Sequence, residues 1–434
     1  MRCLPATLSL MGILLHAQTL PELVSAARSA PPLKAAAAKS AMYGAESARA
    51  QSARYPSLDA SFSGTFLKER PVVYLQGSPG GLPPGTTLQT QAQELYFGAL
   101  KLTYPLFTGF AVTAGIDAAK LRAMQAQLEE KDARRNLSLQ LVYTYAEAVA
   151  MQRRMQADDD AATAMQDSYD KAQGFYDKGL LTESDLLRIK ADRLATDAVR
   201  LRDRNRFETA LLQLSYLSDT NVTSVAPLPP IRELTPGGLL QKALAERPDL
   251  QVLETQLQLA RTRERAAESG YYPTVALYGR LASQGDTWQL AGDGFTNKDK
   301  SAVGFEVTYN LFSGFNTAHA CEAAQQAQLS ARWAVTAYTK QIETEIRSGF
   351  LTLRSLQNER DAARARVEAE TAYAAQIRGQ FDHQLADADR LSRAIAARAK
   401  ARSELAQTEA ALYAAYARLL LQVGPDTFDA ALKE

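Results

Sequence analysis

One long segment, residues 111–173, most limits what this chain can fold into. It contains no proline, and Gly115 is its sole glycine. A single helix of this length would be roughly 95 Å long. Because a lone helix with a mostly charged surface is only marginally stable in water, it must pack against neighbours along its length.

The same segment occurs twice. The motif Tyr104–Phe110 returns 205 positions later as Tyr309–Phe315. An apolar ladder with spacings of 4, 4 and 3 returns at the same shift, and its members are Leu137, Leu141, Tyr145 and Ala148, then Ile342, Ile346, Phe350 and Leu353. The period of eleven residues is close to that of an unstrained helix, so it predicts long helices that pack side by side with little supercoiling.

Composition favours one architecture built from two halves, although 434 residues are enough for several domains. The balance of 49 basic and 48 acidic residues implies no nucleic-acid partner. Two cysteines make no disulfide framework, and the three histidines offer little for metal binding. We find no nucleotide loop, nucleophile–base pair or carboxylate pair, and predict no enzyme, no catalytic residue, no cofactor and no metal.

The N-terminus has the pattern of a secretory signal. Met1-Arg2 is basic, residues 4–15 are mostly apolar, and Ala17 is a small residue suited to cleavage. We predict a signal peptide at 1–17, with a frayed N-terminal helix as the alternative.

Two pairs of alternating segments follow Pro56 and Pro273. Proline cannot continue a helix and favours an extended residue before it, so each helix is predicted to become a strand there. Each half then has two strands of about 10 residues, the length that a tilted strand needs to cross a bilayer. Glycine- and proline-containing loops are predicted between the strands, at 77–91 and 284–300.

The long helix is predicted to end near Gln173, before Gly174, and Thr182 is predicted to cap a returning helix over 183–218. In the second half the tip is predicted at 381–389 and the returning helix at 390–423. The boundaries that follow are a first repeat at 18–226, a second at 227–424 and a C-terminal tail at 425–434. The two repeats are predicted to form one structure, not independent domains.

Four strands per chain cannot close a barrel, since about eight strands are the minimum. An open sheet edge in lipid would leave backbone groups unsatisfied. Strands that lie in a membrane therefore require an oligomer, and three copies give twelve strands and a long tube of helices. The alternative is a small soluble sheet.

Six motifs, which occur in order and at nearly constant shifts, carry a resemblance to a known family. They are the two-fold repeat itself, Ala53–Pro56, Gly270–Pro273, Arg247–Leu250, Tyr104–Gly109 and Gly179–Leu187. Together they resemble the TolC family of trimeric outer-membrane efflux and secretion channels. The resemblance implies a mainly α fold with a membrane β-barrel, in which long antiparallel helical hairpins form an α-barrel in the periplasm. Four strands per protomer complete a 12-stranded β-barrel in a homotrimer.

The resemblance also implies partners. The tip of the first hairpin, with Gly179, Leu180 and Thr182, is where a periplasmic adaptor protein would bind, and docking of the adaptor and an inner-membrane pump would open the channel. The alternative is that Gly179 only permits the turn and has no role in binding the adaptor. The second tip, Gln384–Asp387, lacks the glycine, which leaves adaptor binding there open.

The resemblance also implies a channel that closes at acidic rings just after the second tip. Aligned through Phe381, these positions are Arg390 and Arg393, so three copies would give basic rings that bias ion entry. We hypothesise that Asp185 pairs with one of these arginines across subunits. The alternative is that both arginines are solvated helix residues. In the sheet, Lys101 and Glu306 are predicted to face the lumen and keep it wet.

The first functional hypothesis is therefore a passive exit duct in the outer membrane of a Gram-negative cell, with its helical part in the periplasm. It would serve a tripartite efflux or type I secretion system. The second is a soluble periplasmic coiled-coil adaptor or scaffold protein. The sequence leaves drug efflux and protein secretion both open.

Overall fold

The computed structural model describes residues 17–75, 81, 83, 85–293, 295 and 298–433. Its helices are α1 Leu20–Ala26, α2 Pro31–Gln51, α3 Ala111–Asp177, α4 Glu183–Ser218, α5 Pro236–Glu246, α6 Pro248–Glu268, α7 Asn316–Asp382, α8 Ala388–Val423 and α9 Pro425–Lys433. Its strands are β1 Ser57–Phe66, β2 Val72–Tyr74, β3 Thr87–Gln89, β4 Glu94–Thr108, β5 Thr274–Gly285 and β6 Ala302–Thr308. The predicted signal peptide, apart from Ala17, lies outside the described residues.

The internal repeat is confirmed in the lengths of the helices. Helices α3 and α7 both have 67 residues, and the returning helices α4 and α8 both have 36. Helices α2 and α6 both have 21 residues and both begin at a proline, where the missing N–H is tolerated. Strands β1 and β5 begin directly after Pro56 and Pro273, as predicted.

Two local predictions are wrong. The first long helix does not stop at Gln173 but continues through Gly174 to Asp177. One helical glycine costs only about 1 kcal/mol relative to alanine, and the added turn lets the Phe175 ring pack 5.9 Å from the Phe381 ring. The second returning helix begins at Ala388, not at residue 390, because Asp387 caps it by accepting a hydrogen bond from the Arg390 N–H.

The region predicted as the first loop contributes part of a short hairpin. Strands β2 and β3 pair antiparallel from Val72 opposite Gln89 to Tyr74 opposite Thr87. Parts of both predicted loops, namely residues 77–80, 82, 84, 294, 296 and 297, lie outside the described residues.

By its contacts the chain divides into two compact units. The first contains the described residues up to Lys39 together with Gln127–Val252 and the residues from Val335 on. Its core includes the predicted ladder, of which Phe350 is half-buried and the other members are buried. The tail residue Phe428, in α9, joins the same core.

The second unit, Ser40–Ala126 and Leu253–Ala334, holds a four-stranded antiparallel sheet in the order β1-β4-β5-β6. Both predicted strands of each half are present, and the two halves meet where β4 pairs with β5. Among the described residues, none of the helices is sufficiently long and apolar to span a membrane.

Candidate functional site: two helix tips and a two-faced sheet

The first tip is a glycine-ended turn. After α3, Gly179 adopts the left-handed conformation with φ of 70°. Its N–H donates to the Tyr176 carbonyl at 2.8 Å, and the Leu180 N–H donates to the Phe175 carbonyl at 2.9 Å. This is the Schellman pattern, which closes the open carbonyls at a helix end. It leaves the Leu180 side chain 58% exposed.

The second tip repeats this turn without a glycine. Gln384 occupies the position of Gly179, with φ of 60°. The N–H groups of Gln384 and Leu385 donate to the Phe381 and Gln380 carbonyls at 2.9 and 2.7 Å. Leu385 is 76% exposed, like its counterpart Leu180. The missing glycine therefore changes the local strain but not the backbone path.

Both tips start the next helix with a side-chain cap. Thr182 accepts a hydrogen bond from the Asp185 N–H at 3.2 Å, which confirms the predicted cap. At the second tip Asp387 takes the same role, at 2.7 Å from the Arg390 nitrogen.

The Cβ that alanine would add at Gly179 meets no atom within 4 Å, so a partner backbone has room to approach there.

Exchanging the residues at the two left-handed positions should have opposite effects. Gly179→Ala is expected to lower the free energy of unfolding by about 1–2 kcal/mol, because an alanine Cβ clashes with its own carbonyl in this conformation. Gln384→Gly is expected to relieve the same strain and raise the free energy by about 1 kcal/mol. Urea unfolding of the protein in detergent, followed by helical circular dichroism, measures both.

Gly115→Ala is the matched control, since Gly115 lies inside α3 with open space around it. There the same substitution should stabilise the helix by about 1 kcal/mol. Equal effects at Gly179 and Gly115 would show that the tip does not hold a left-handed turn.

The charged residues proposed for a gate take other partners within one copy. Arg393 forms an ion pair with Asp389, which also pairs with Arg188. The Arg390 guanidinium lies 3.4 Å from the Tyr373 hydroxyl. Asp185 accepts a hydrogen bond from the Thr182 hydroxyl at 2.6 Å. Pairing of Asp185 with an arginine of another copy stays a prediction.

The sheet has two chemically different faces. Lys101 lies between Asp59 and Arg280 in the strand register, and Glu306 lies on this same polar face, opposite Ala276. The other face carries exposed apolar side chains on all four strands, namely Leu58, Phe62, Phe66, Leu100, Leu102, Tyr104, Leu277, Leu281, Val303, Phe305 and Val307. An apolar face of this extent indicates a surface that is covered in the working protein.

Sequence reasoning missed two buried charge networks. In the first, Arg247 is only 4% exposed and donates to Asp249 and Glu345, each at 2.8 Å. Burial acts against the charge of Asp249, but hydrogen bonding from the Tyr338 hydroxyl and the nearby charges of Arg135 and Arg247 outweigh it and lower its pKa. The sequence signal of this network is the Arg247–Leu250 motif, which by itself indicates the family resemblance but not a buried ion pair.

In the second network, a fully buried Asp203 on α4 contacts Arg154 of α3 at 2.6 Å. It also contacts Arg202 and Arg206 at 3.2 and 3.3 Å. Burial, followed by hydrogen bonding with Asp203, raises the pKa of Asp158 to about 6. The available sequence signal was the spacing of four residues between Arg154 and Asp158, which places them on one face of a helix. The sequence did not indicate that Asp203 is their partner.

Comparison with known proteins agrees with this architecture. The profile of the family described as "Outer membrane efflux protein" matches residues 23–218 and 239–424. No curated protein matches the chain significantly.

Solved structures of low sequence identity share the fold. The outer membrane protein VceC from Vibrio cholerae is 17% identical with a TM-score of 0.75, covering 94% of this chain and 96% of its own. A membrane protein from Pseudomonas aeruginosa is 18% identical with a TM-score of 0.80, covering 93% and 90%. The open state of the MtrE outer membrane channel from Neisseria gonorrhoeae is 18% identical with a TM-score of 0.66, covering 92% and 88%.

Proposed function

The chain belongs to the outer membrane efflux protein family, and from this premise we propose that three copies assemble into one exit channel. The chain is an efflux exit channel and not the soluble adaptor or scaffold that the sequence also allowed. Family and fold are those of channel proteins, which are not enzymes. The two sequence repeats, 18–226 and 227–424, act together as one wall of the channel.

One observation supports the assembly most directly. The sheet exposes an apolar face on all four strands, and among the described strands its outer members β1 and β6 each have one unpaired edge. In lipid, unpaired backbone groups cost several kcal/mol each. Joining β6 of one copy to β1 of the next removes every edge when three copies close a ring. The apolar face then meets outer-membrane lipid, and the face with Lys101 and Glu306 lines the lumen.

The tips supply the surface for partners in the periplasm. Leu180 and Leu385 are exposed apolar anchors beside turns of the same shape, so both tips offer an adaptor protein a similar site. Gly179 and Thr182 set the turn and the helix start at the first of these. Energy for transport comes from an inner-membrane pump that the adaptor connects to the channel.

The assembly is tested by the mass of the particle extracted from outer membranes in mild detergent. Light scattering should give three chains per particle, and the band should migrate differently in gels with and without heating. A folded, single-chain particle that is stable in detergent-free buffer would contradict the proposal, because the apolar face would then need no lipid.

The gate hypothesis gives a separate prediction. Replacing both Arg390 and Arg393 with alanine should lower the preference of single channels for anions, since a ring of like charge at a constriction selects the opposite ion. Planar-bilayer recordings in a salt gradient measure this preference. Replacement of Arg366, an exposed arginine of α7 that pairs with Glu404 of α8, is the matched control. Unchanged conductance and selectivity in the double variant would discard the gate.

A further inference from the structure

Helix α4 carries an unexplained stripe of exposed leucines. Leu187, Leu194 and Leu201 recur every seven residues and are 56%, 53% and 61% exposed. Ala191 and Ala198 alternate with them at spacings of 4 and 3, and both are exposed. This is the pattern of a helix that packs along one partner helix. We name these five residues the leucine seam.

The leucine seam has no partner within its own copy among the described residues. The other sides of α4 pack against α3 and α8, as shown by Arg154–Asp203 between α3 and α4 and by Arg188–Asp389 between α4 and α8. Exposed leucines in a regular row mark a protein contact surface.

Helix α7 carries a seam of the opposite shape. Ala362, Ala365, Ala369, Ala372 and Gly379 follow the same 3 and 4 spacing, with Gln376 between the last two, and all are exposed. Buried residues on the other side of α7, such as Ala374 and Ile377, belong to the core of the same copy. We name this row the alanine seam. Its small side chains leave space for large ones.

We propose that the leucine seam of one copy packs antiparallel against the alanine seam of the next copy in the channel. This inference rests on the proposed oligomeric channel and names the helices that join its subunits. In the best register, Leu194 faces Ala369 and Leu201 faces Ala362, so large side chains meet small ones at each of these layers. Ala198 and Ala365 face each other between them.

The polar residues select this register. It places Asn205 opposite Asn358, and beyond them Leu212 opposite Leu351. An asparagine pair in a helix seam is a recognised way to fix register, because a shift would leave its amides against apolar side chains. A shift of one heptad would bring Asn358 against Leu212.

Charges beside the seams also match. The register brings Arg202 near Glu359 and Arg204 near Asp361, on the two flanks of the asparagine pair, beside the contacts that Arg202, Arg204 and Asp361 make in their own copy. Asp197 with Glu368 and Glu183 with Asp382 are unfavourable pairs, but Asp197 keeps its own partner Arg200 at 3.6 Å and Asp382 pairs with Lys171 at 2.6 Å. Overall, the flanks of the leucine seam are mainly basic and those of the alanine seam mainly acidic.

Two different surfaces of one chain therefore form each contact. Such head-to-tail contacts generate rings when the rotation closes. The seams thus supply a ring-forming interface in the helical part, which is independent of the edge pairing of the sheet.

Cysteine crosslinking tests the proposal. In the full chain with Cys3→Ala and Cys321→Ala, the double variant Leu194→Cys with Ala369→Cys should form linked species of two and three chains on mild oxidation. Three chains should be the largest product, and reducing agent should reverse it. Each single variant should stay unlinked, as should Arg200→Cys with Arg364→Cys, whose side chains contact neighbours of their own copy.

A second pair of variants does not depend on disulfide geometry. Leu194→Glu with Leu201→Glu should reduce the trimer recovered in mild detergent at least tenfold, whereas Leu194→Met with Leu201→Met should keep it. A channel that remains trimeric and conducting, yet shows no crosslink and tolerates both glutamates, would overturn the seam contact while leaving the proposed function intact. A wild-type particle of one chain would instead count against the proposed function itself.

Discussion

Replacing Arg247 with alanine is expected to lower the free energy of unfolding by about 3–5 kcal/mol. The guanidinium is buried and is the shared partner of Asp249 and Glu345, which come from α6 and α7. Without it, two carboxylates stay close together in a partly buried place with one fewer cation. Urea unfolding in detergent, followed by helical circular dichroism, measures the loss.

Arg200→Ala is the matched control. Arg200 is 48% exposed and its contacts to Asp159 and Asp197 are 4.0 and 3.6 Å long, so its loss should cost at most about 1 kcal/mol. An equally small effect at both sites would mean that water reaches the Arg247 network and screens it.

The cost of Arg247→Ala should also depend on pH. Interactions within the network lower the pKa values of Asp249 and Glu345 despite their burial. A carboxylate with a lowered pKa stabilises the fold above its ordinary pKa and loses that contribution as the pH falls through the folded value. The difference between the native chain and the variant should therefore be full at pH 7 and shrink below about pH 4.

Regular features were predictable from sequence because each depends on local chemistry. A proline cannot continue a helix, so Pro56 and Pro273 each mark the change from helix to strand, and alternation of apolar residues marks the strand that follows. The shift of 205 positions therefore predicted that α3 and α7 would match. Gly174 was misjudged because the packing of Phe175 on Phe381, a contact between distant residues, outweighs the weak helix preference of glycine.

Some features of the candidate site were also predictable from the sequence, and others were not. The cap at Thr182 and the shared face of Lys101 and Glu306 follow from local spacing and strand period. The left-handed turn at Gln384 was not predictable from its residue type, since glutamine rarely adopts it. It became visible only as a repeat of the Gly179 turn. Whether the arginines of the second tip meet an acid of another copy depends on the assembly.

Replacing Asp158 with asparagine is expected to stabilise the protein at pH 8 by about 1–3 kcal/mol. The Asp158 carboxyl is buried beside Asp203 and one of its oxygens has no hydrogen-bond partner. An amide of the same shape carries no charge and can donate a hydrogen bond to the carboxylate of Asp203. The gain is measured by the urea midpoint at pH 8.

The raised pKa of Asp158 explains why the substitution should stabilise the protein at high pH. The pKa of Asp158 is raised from 3.8 to about 6, so the folded state holds the proton more tightly than the unfolded chain does. The stability that the protonated Asp158 contributes is complete below pH 3.8 and is lost as the pH rises through 6. The native chain should thus lose stability between pH 4 and 7 relative to Asp158→Asn, and the two should converge at pH 4.

The charged residues around Asp158 predict different effects for the neighbouring acids. Arg154 and Asp158, one turn apart on α3, both line a cavity of about 450 Å³. Lys400 and Glu404 of α8 line the cavity from the other side. Asp203→Asn should have the opposite effect and destabilise at pH 7, because Arg154, Arg202 and Arg206 would lose their common acceptor. Asp159→Asn, at a 53% exposed neighbour, should change little. If Asp158→Asn destabilises the protein at pH 8, the arginines need the charged carboxylate of Asp158, and the raised pKa of Asp158 is contradicted.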